Sequence, residues 1–565
     1  FFFKQMTAYE IMPSLVGSEM CIRDSASSAQ TTGQDNTSVG YAALYSTSTG
    51  SYNTGLGYAA LYTQSTPSHN TAVGNLSLYQ TTTGENNTAV GSNSLRTNST
   101  GDKNCALGID ALYSNTTGDN NVAVGRRALY SNTTGGDNTA LGCNALYSNT
   151  TASYNVAIGL QALESNTTGD RNVAIGKGAM ETNTVGDRNT AIGVGALTTL
   201  NPSSNADMYN TAVGYNAASA MTTGLYNTAI GSFALNSVTT ISSLVAVGYE
   251  ALQNNTTGGD NTAVGFQAGR TLTTANYTTC LGYKAGYAIT TGDRNTCLGY
   301  SAGEDITNAS SNTCIGFNAG KNVSTGGENT CIGATAGDAI TTGSANTCIG
   351  IGALTNCTTA GFNVAVGRSA LQEVTDGHSN TGCGEDGGSS ITTGDHNVML
   401  GHNAGNANSP SGTITDADGI VCLGDNSVTA LYCADTSISS SDARDKTDVE
   451  DFVHGLSWIK ALRPVTYRWD RRGWYGTEGK NSKGIPDGSK KRDRLHLGFL
   501  AQEAIEVEKK HGYADTKDNM LIVNQDEDVE DPSYGYKYER LVPVLVNAIK
   551  ELSAEVEALK SQINN

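Results

Sequence analysis

The chain has little of what most enzyme sites are built from. Only 15% of its 565 residues are charged, and it carries 3 tryptophans, 9 phenylalanines, 8 prolines and 7 histidines. A length that would ordinarily make three or four domains therefore does not read as an ordinary enzyme. Positive charge is the minority sign, with 34 Lys and Arg against 53 Asp and Glu and a net charge of -19. Phosphate binding needs clustered basic residues that release counterions, so a nucleic-acid partner is excluded and the acidity reads as solubility. No apolar run approaches the ~20 residues that span a bilayer, and the first 25 residues lack the apolar stretch of a secretory signal, so no membrane insertion is expected. The 12 cysteines contain no CxxC pair, which removes the usual zinc signature; no cofactor or metal is expected.

What is present is glycine, at 67 copies, and a repeat. Segments of the type NTAVG place a Gly at 40 and every seventeen residues to 193, then at 214 and every seventeen residues to 401. That makes twenty-two units with one four-residue insertion near Asn201-Pro202. The unit alternates small and apolar residues (Ala123, Val124, Gly125), continues with an Ala-Leu pair (Ala128, Leu129), and ends in turn formers such as Asn-Thr-Thr-Gly-Asp. Two short strands and a sharp turn are expected in each unit. Strands stacked ~4.8 Å apart then build a β-solenoid, with the strand of each coil buried on both sides, by its own coil and by a partner chain. A three-fold axis shared with identical chains supplies that partner, so the fold class is mainly β, a homotrimeric rod of about 22 coils followed by an α+β domain.

Asn stands four places before the Gly in twenty of the units, Leu244 and Thr278 being the exceptions, and is expected to hydrogen-bond along the rod. Cys280, Cys297, Cys314, Cys331 and Cys348 recur at the repeat period in the slot that Ala holds elsewhere, and read as buried thiols. Asp102, Asp119, Asp170, Asp187, Asp293 and Asp395 recur six places before the Gly and read as turn chemistry rather than calcium ligands. The Asn of triplets such as Asn115-Thr116-Thr117 is a glycosylation acceptor by pattern, and a structural letter by its recurrence. The unit resembles the head repeat of trimeric autotransporter adhesins, a left-handed parallel β-roll.

After Gly424 the composition changes, and Trp458, Trp469 and Trp474 all lie beyond it. The boundary carries SISSSDARDK, residues 437 to 446, and four stretches follow in order: SDARDKTDVEDF, IKALRPVTYRW, HLGFLAQEAIEV and YERLVPVLVNAIKEL. Together they resemble the peptidase S74 intramolecular chaperone of phage tail spikes and endosialidases. The resemblance implies a domain that trimerises, guides three chains into a β-helical stalk and then cuts itself free. By that resemblance Ser441 is the nucleophile and Lys446 its partner in a Ser-Lys dyad, a pairing in which a desolvated Lys removes the hydroxyl proton. Ser440 and Asp442 flank the cut, and His496 and Gln502 are placed beside the site. At the C-terminus Leu545, Ile549, Leu552, Val556, Leu559 and Ile563 step by four and three, an a/d seam expected to bring copies together.

The domains expected are residues 26–424 for the rod, 425–441 for a linker to the cleavage site, and 442–565 for the chaperone, its coiled coil at 541–565. Residues 20–25, MCIRDS, back-translate to ATGTGTATAAGAGACAG, which resembles a sequencing adaptor; residues 1–25 are expected to be an artefact, with the natural start and its attachment segment missing. The functional reading is a trimeric tail fibre or spike of a virion, assembled in the host cytoplasm, whose partners are a host cell-surface receptor (glycan or protein) and the virion tail. A bacterial trimeric surface adhesin is the alternative, and a glycan depolymerase on the rod the third reading.

Overall fold

The structure, a computed structural model, describes residues 20–21, 26–428, 449–470, 486, 488–525 and 534–564. The chain divides into two compact units, Phe1–Val428 and Thr429–Asn565.

The first unit is the solenoid. Its three-residue strands run from Thr37–Val39 to Val421–Leu423, each followed by a turn that brings the chain back one rung higher. They pair in parallel and in register, Ala106 with Ala123 and Ala123 with Ala140, within one 24-stranded sheet. The spacing is seventeen residues except at two places. Between Thr190–Ile192 and Thr211–Val213 the insertion near Pro202 forms its own short pairing, Ala206–Asp207 on Gly186–Asp187. Between Val398–Leu400 and Val421–Leu423 lie six extra residues, and this further strand follows the twenty-two units read from the glycine period.

Each coil has one strand of this ladder, not two. The second half of the unit is a run of turns because its residues two and four places after the Gly lie in the left-handed region, Arg127 at φ 58° and Leu129 at φ 53°. A strand cannot continue through such residues. Hydrogen bonding between coils continues there nonetheless: the N–H of Leu129 donates to the carbonyl of Ala145 at 3.0 Å, and that of Ser131 to Tyr147 at 3.0 Å. The repeat Gly is required by contact as well as conformation. Gly125 has φ 135°, and a Cβ on it would stand 2.5 Å from the carbonyl oxygen of Gly142.

The interior is filled by the middle residue of each strand, the Ala-Leu pair and two asparagine columns, all fully buried. In the first column Asn121 donates its backbone N–H to Asn104 Oδ1 at 2.9 Å and its own amide to the carbonyl of Gly135 at 2.9 Å. In the second, Asn115 donates to Asn98 Oδ1 and Asn132 to Asn115 Oδ1, each at 2.7 Å. Polar groups at the corners are thereby paired inside the rod. Asn115 is thus enclosed, which withdraws it as a glycan acceptor in the folded coil.

The second unit holds α1 (Leu456–Ala461), β1 (Val465–Tyr467), β2 (His496–Gly498), α2 (Ala501–Lys510), β3 (Val523–Gln525), β4 (Tyr534–Tyr536) and α3 (Leu541–Ile563). β1 pairs antiparallel with β2, and β3 with β4. Its core gathers Trp458, Leu462, Ala504, Ile505, Val507, Ile522, Val523, Leu541 and Val544. No helix among the described residues is long and apolar enough to cross a membrane.

Candidate functional site

Ser440, Ser441, Asp442 and Lys446 lie outside the described residues. What the structure describes is the domain that follows them, and there the sequence motifs are fastened to one another. Arg463, at the end of IKALR, forms an ion pair with Glu503 of the AQE motif, its Nε donating to Oε2 at 3.0 Å. The Arg463 guanidinium holds the Glu503 carboxyl below its usual range. Gly498 of the GF pair lies under the Tyr538 hydroxyl: a Cβ there would stand 2.2 Å from that oxygen, which also accepts the N–H of Phe499 at 3.2 Å.

Glu508, fully buried at the end of α2, accepts three backbone N–H groups, from Leu521 at 2.8 Å, Ile522 at 2.7 Å and Val523 at 2.9 Å. It anchors β3 to the helix, and an ionised carboxylate has the acceptor capacity for all three. From α3, Glu551 accepts the N–H of Leu456 at 2.6 Å, at the start of α1. Asn547, also on α3, donates its amide to the Phe452 carbonyl. Gly455 sits against that helix so closely that a Cβ would be 2.4 Å from the backbone nitrogen of Ala548.

His496 pairs with Tyr467 across β1 and β2 and lies over its ring, centroids 5.6 Å apart, with Trp469 at 6.3 Å. Gln502 is exposed on α2, and not in the core. A second imidazole was not singled out by sequence. His511 stacks on the buried Trp458 at 4.8 Å, with its Nδ1 2.8 Å from the carbonyl of Val507 and its Nε2 3.3 Å from Ser457 Oγ. A carbonyl only accepts, so Nδ1 donates to it, and Nε2 lies within hydrogen-bond distance of the Ser457 hydroxyl. Trp458 Nε1 and the Tyr536 hydroxyl are buried without a hydrogen-bond partner among the described residues, and burial pushes the latter up to about 12.

α3 has two faces. Leu541, Val544 and Ala548 are buried, while the seam residues Leu545, Ile549, Leu552, Val556, Leu559 and Ile563 are exposed to solvent in the single chain.

On the rod, the third residue of each strand points outward. Leu107, Leu141, Leu281 and Leu400, all about 40% exposed, belong to a column occupied by Val, Ile or Leu in every strand but one, where Cys383 stands. Beside it runs an aromatic ladder missed by sequence reasoning, although aromatics at seventeen-residue spacing would have disclosed it. Tyr249, Phe266, Tyr283, Tyr300 and Phe317 stack face to face, with centroids 4.8 to 5.4 Å apart. The six recurrent aspartates act within the corners: Asp119 accepts the N–H of Asp102 at 2.7 Å, and Asp187 that of Asp170 at 2.7 Å. Among the described residues, no three His, Cys, Asp or Glu side chains come together as a metal-holding group.

Residues 441–513 match the Peptidase_S74 family model, described as chaperone of endosialidase. The matched stretch runs from Ser441 to Tyr513 and so includes Lys446, Arg463, His496, Glu503 and Glu508. No curated protein and no solved structure matches the chain.

Proposed function

We propose that the chain is a tail-fibre or tail-spike protein of a phage-like virus, in which three copies form a receptor-binding rod and the C-terminal domain directs their assembly before cutting itself off at Ser441. The observation that carries this reading is the match of residues 441–513 to the chaperone of endosialidase, directly after a β-solenoid.

The rod's outward aliphatic column supports partnership between copies. Soluble monomers seldom expose a continuous apolar surface of this extent. The α3 seam supports parallel pairing. Ile549, Val556 and Ile563 fall at a, Leu545, Leu552 and Leu559 at d, and Glu555 at g faces Lys560 at e of a neighbouring parallel helix. Ile or Val at a with Leu at d favours two strands in isolated coiled coils, so the number three is set by the rod and the globular part of the domain.

A seventeen-residue slip between near-identical coils would bury almost the same surface, so a trimerising end is needed to set the register. In the cleavage step Lys446 takes the proton of Ser441 Oγ. By resemblance the bond broken is Ser441–Asp442. In the simpler chemistry, Oγ attacks the Ser440 carbonyl carbon, the amide nitrogen leaves with the proton from Lys446, and water hydrolyses the resulting ester. His496 and Gln502 are proposed to stand beside this site. Removing the domain leaves the rod's chains without the route by which they would unwind, which makes the rod's stability kinetic.

Light scattering on residues 26 to 565 carrying Ser441→Ala tests the assembly. A mass of three chains is expected; a monodisperse monomer at micromolar concentration contradicts the proposal.

A further inference from the structure

Cys280, Cys297, Cys314, Cys331 and Cys348 stand at the middle of five consecutive strands, one directly above the next in the parallel register. Each is at most 1% exposed, and none forms a disulfide. Successive sulfurs face one space: a Cβ on Gly286 would stand 2.5 Å from Cys280 Sγ and 3.5 Å from Cys297 Sγ, and one on Gly337 2.8 Å from Cys331 Sγ and 3.3 Å from Cys348 Sγ. Strands in a sheet repeat at ~4.8 Å, so like side chains in one register place their sulfurs at the same interval.

Four of the five coils of this column, all but that of Cys348 with its Leu354, differ from the asparagine-bearing coils at three inward positions together. Where one coil has Ala123, Leu129 and Asn132, the coil of Cys297 has Cys297, Gly303 and Ile306, six side-chain heavy atoms in place of nine. The coils of Cys280 and Cys331 make the same exchange, with Gly286 and Ile289 and with Gly337 and Ile340. The sulfurs use the space that leucine has left. A Cβ on Gly303 would stand 2.7 Å from Cys297 Sγ, and one on Gly320 2.6 Å from Cys314 Sγ.

We propose that this column is a binding site for soft monovalent metal ions, copper(I) in particular, each held linearly between two successive sulfurs. The ~4.8 Å rung is close to twice a metal–thiolate bond of ~2.3 Å. Thiolates select copper(I) over harder ions. Charge also fits a monovalent ion. Each one that enters forms bonds to sulfur as one S–H bond breaks and its proton leaves for solvent. Four ions between five sulfurs thus release four protons, and the buried column stays neutral. Zinc takes three or four protein ligands, and no three metal-ligating side chains come together among the described residues. Because the sulfurs are closed to solvent, the ions enter while the coils are stacking and then tie successive coils together. The inference rests on the rod alone and stands apart from the assembly proposed above.

The test is the copper content of the full chain, expressed in cells grown with added copper and washed with a copper(I) chelator. About four coppers per wild-type chain and about two in Cys314→Ala are expected, because that change interrupts the column and leaves the pairs 280/297 and 331/348. Alanine is tolerated in this slot, where Ala263 and Ala365 already stand, and an unchanged circular-dichroism spectrum confirms that the rod has formed. Copper(I) added to the folded, metal-free chain should not survive the same wash. Less than one copper per wild-type chain, equal copper in the variant, or a mass short by two hydrogens per cysteine pair would each overturn the proposal.

Discussion

The Tyr538 hydroxyl rests on the α-carbon of Gly498, where a Cβ would come within 2.2 Å of it, and accepts the N–H of the next residue, Phe499. Two motifs forty residues apart in the chain, LGF and YERLVP, are in this way one contact. Gly498→Ala should therefore destabilise the C-terminal domain by about 1–3 kcal/mol through overpacking. Tyr538→Phe relieves the clash in Gly498→Ala, so the double variant should recover part of the loss. Urea unfolding followed by tryptophan fluorescence reads all three, since every tryptophan lies in this domain.

Glu508→Gln keeps the shape of the side chain but turns an amide NH₂ toward backbone donors. At least one of the N–H groups of Leu521, Ile522 and Val523 loses its acceptor, at a cost of about 1–3 kcal/mol. The same unfolding measurement should show the loss, with faster amide exchange at residues 521–523.

On the rod, Gly125→Ala places a Cβ 2.5 Å from the Gly142 carbonyl and asks alanine to hold φ 135°. The backbone strain alone is about 1–3 kcal/mol. Ala128→Gly, one turn on, should be milder. Thermal unfolding of the two variants compares them.

Asn255 offers a change in the opposite direction. It is fully buried, and neither its amide nitrogen nor its oxygen has a hydrogen-bond partner among the described residues. In its column the neighbouring coils carry Val238 and Leu272, so the asparagine is cut off from the Asn98 to Asn183 ladder. Asn255→Leu should raise rod stability by about 1–3 kcal/mol, because it removes an unpaired buried amide. A lower unfolding temperature would contradict this.

The period of the rod was legible because Gly125 and its equivalents are held at positive φ against the next coil's backbone, and the asparagine four places before twenty of them has one task. The thiol column was legible for the same reason, since Cys replaces Ala in phase with the repeat. The single strand per coil was not legible. Leu129 and Arg127 look like strand or helix formers, and only the stacking of coils holds them at positive φ. The strand at Val421–Leu423 was hidden by six extra residues that broke the count. In the C-terminal domain the motifs were legible and their contacts were not: nothing in the spacing of Arg463 and Glu503, or of Glu508 and Val523, announces that they meet. The resemblance placed Gln502 beside the cleavage site, and the structure shows it exposed on α2, while His511 was passed over because a lone imidazole after two lysines carries no pattern.

The central claim is that the boundary at SISSSDARDK cuts itself. Intact-mass measurement of the expressed chain, of Ser441→Ala and of Lys446→Ala tests it most directly. The wild type should give two fragments, a rod ending at or next to Ser441 and a released domain beginning at or next to Asp442. Ser441→Ala should remain full length and still assemble, and Lys446→Ala should be cut far more slowly. An uncut wild type, or a Ser441→Ala chain broken at the same bond, would contradict the account.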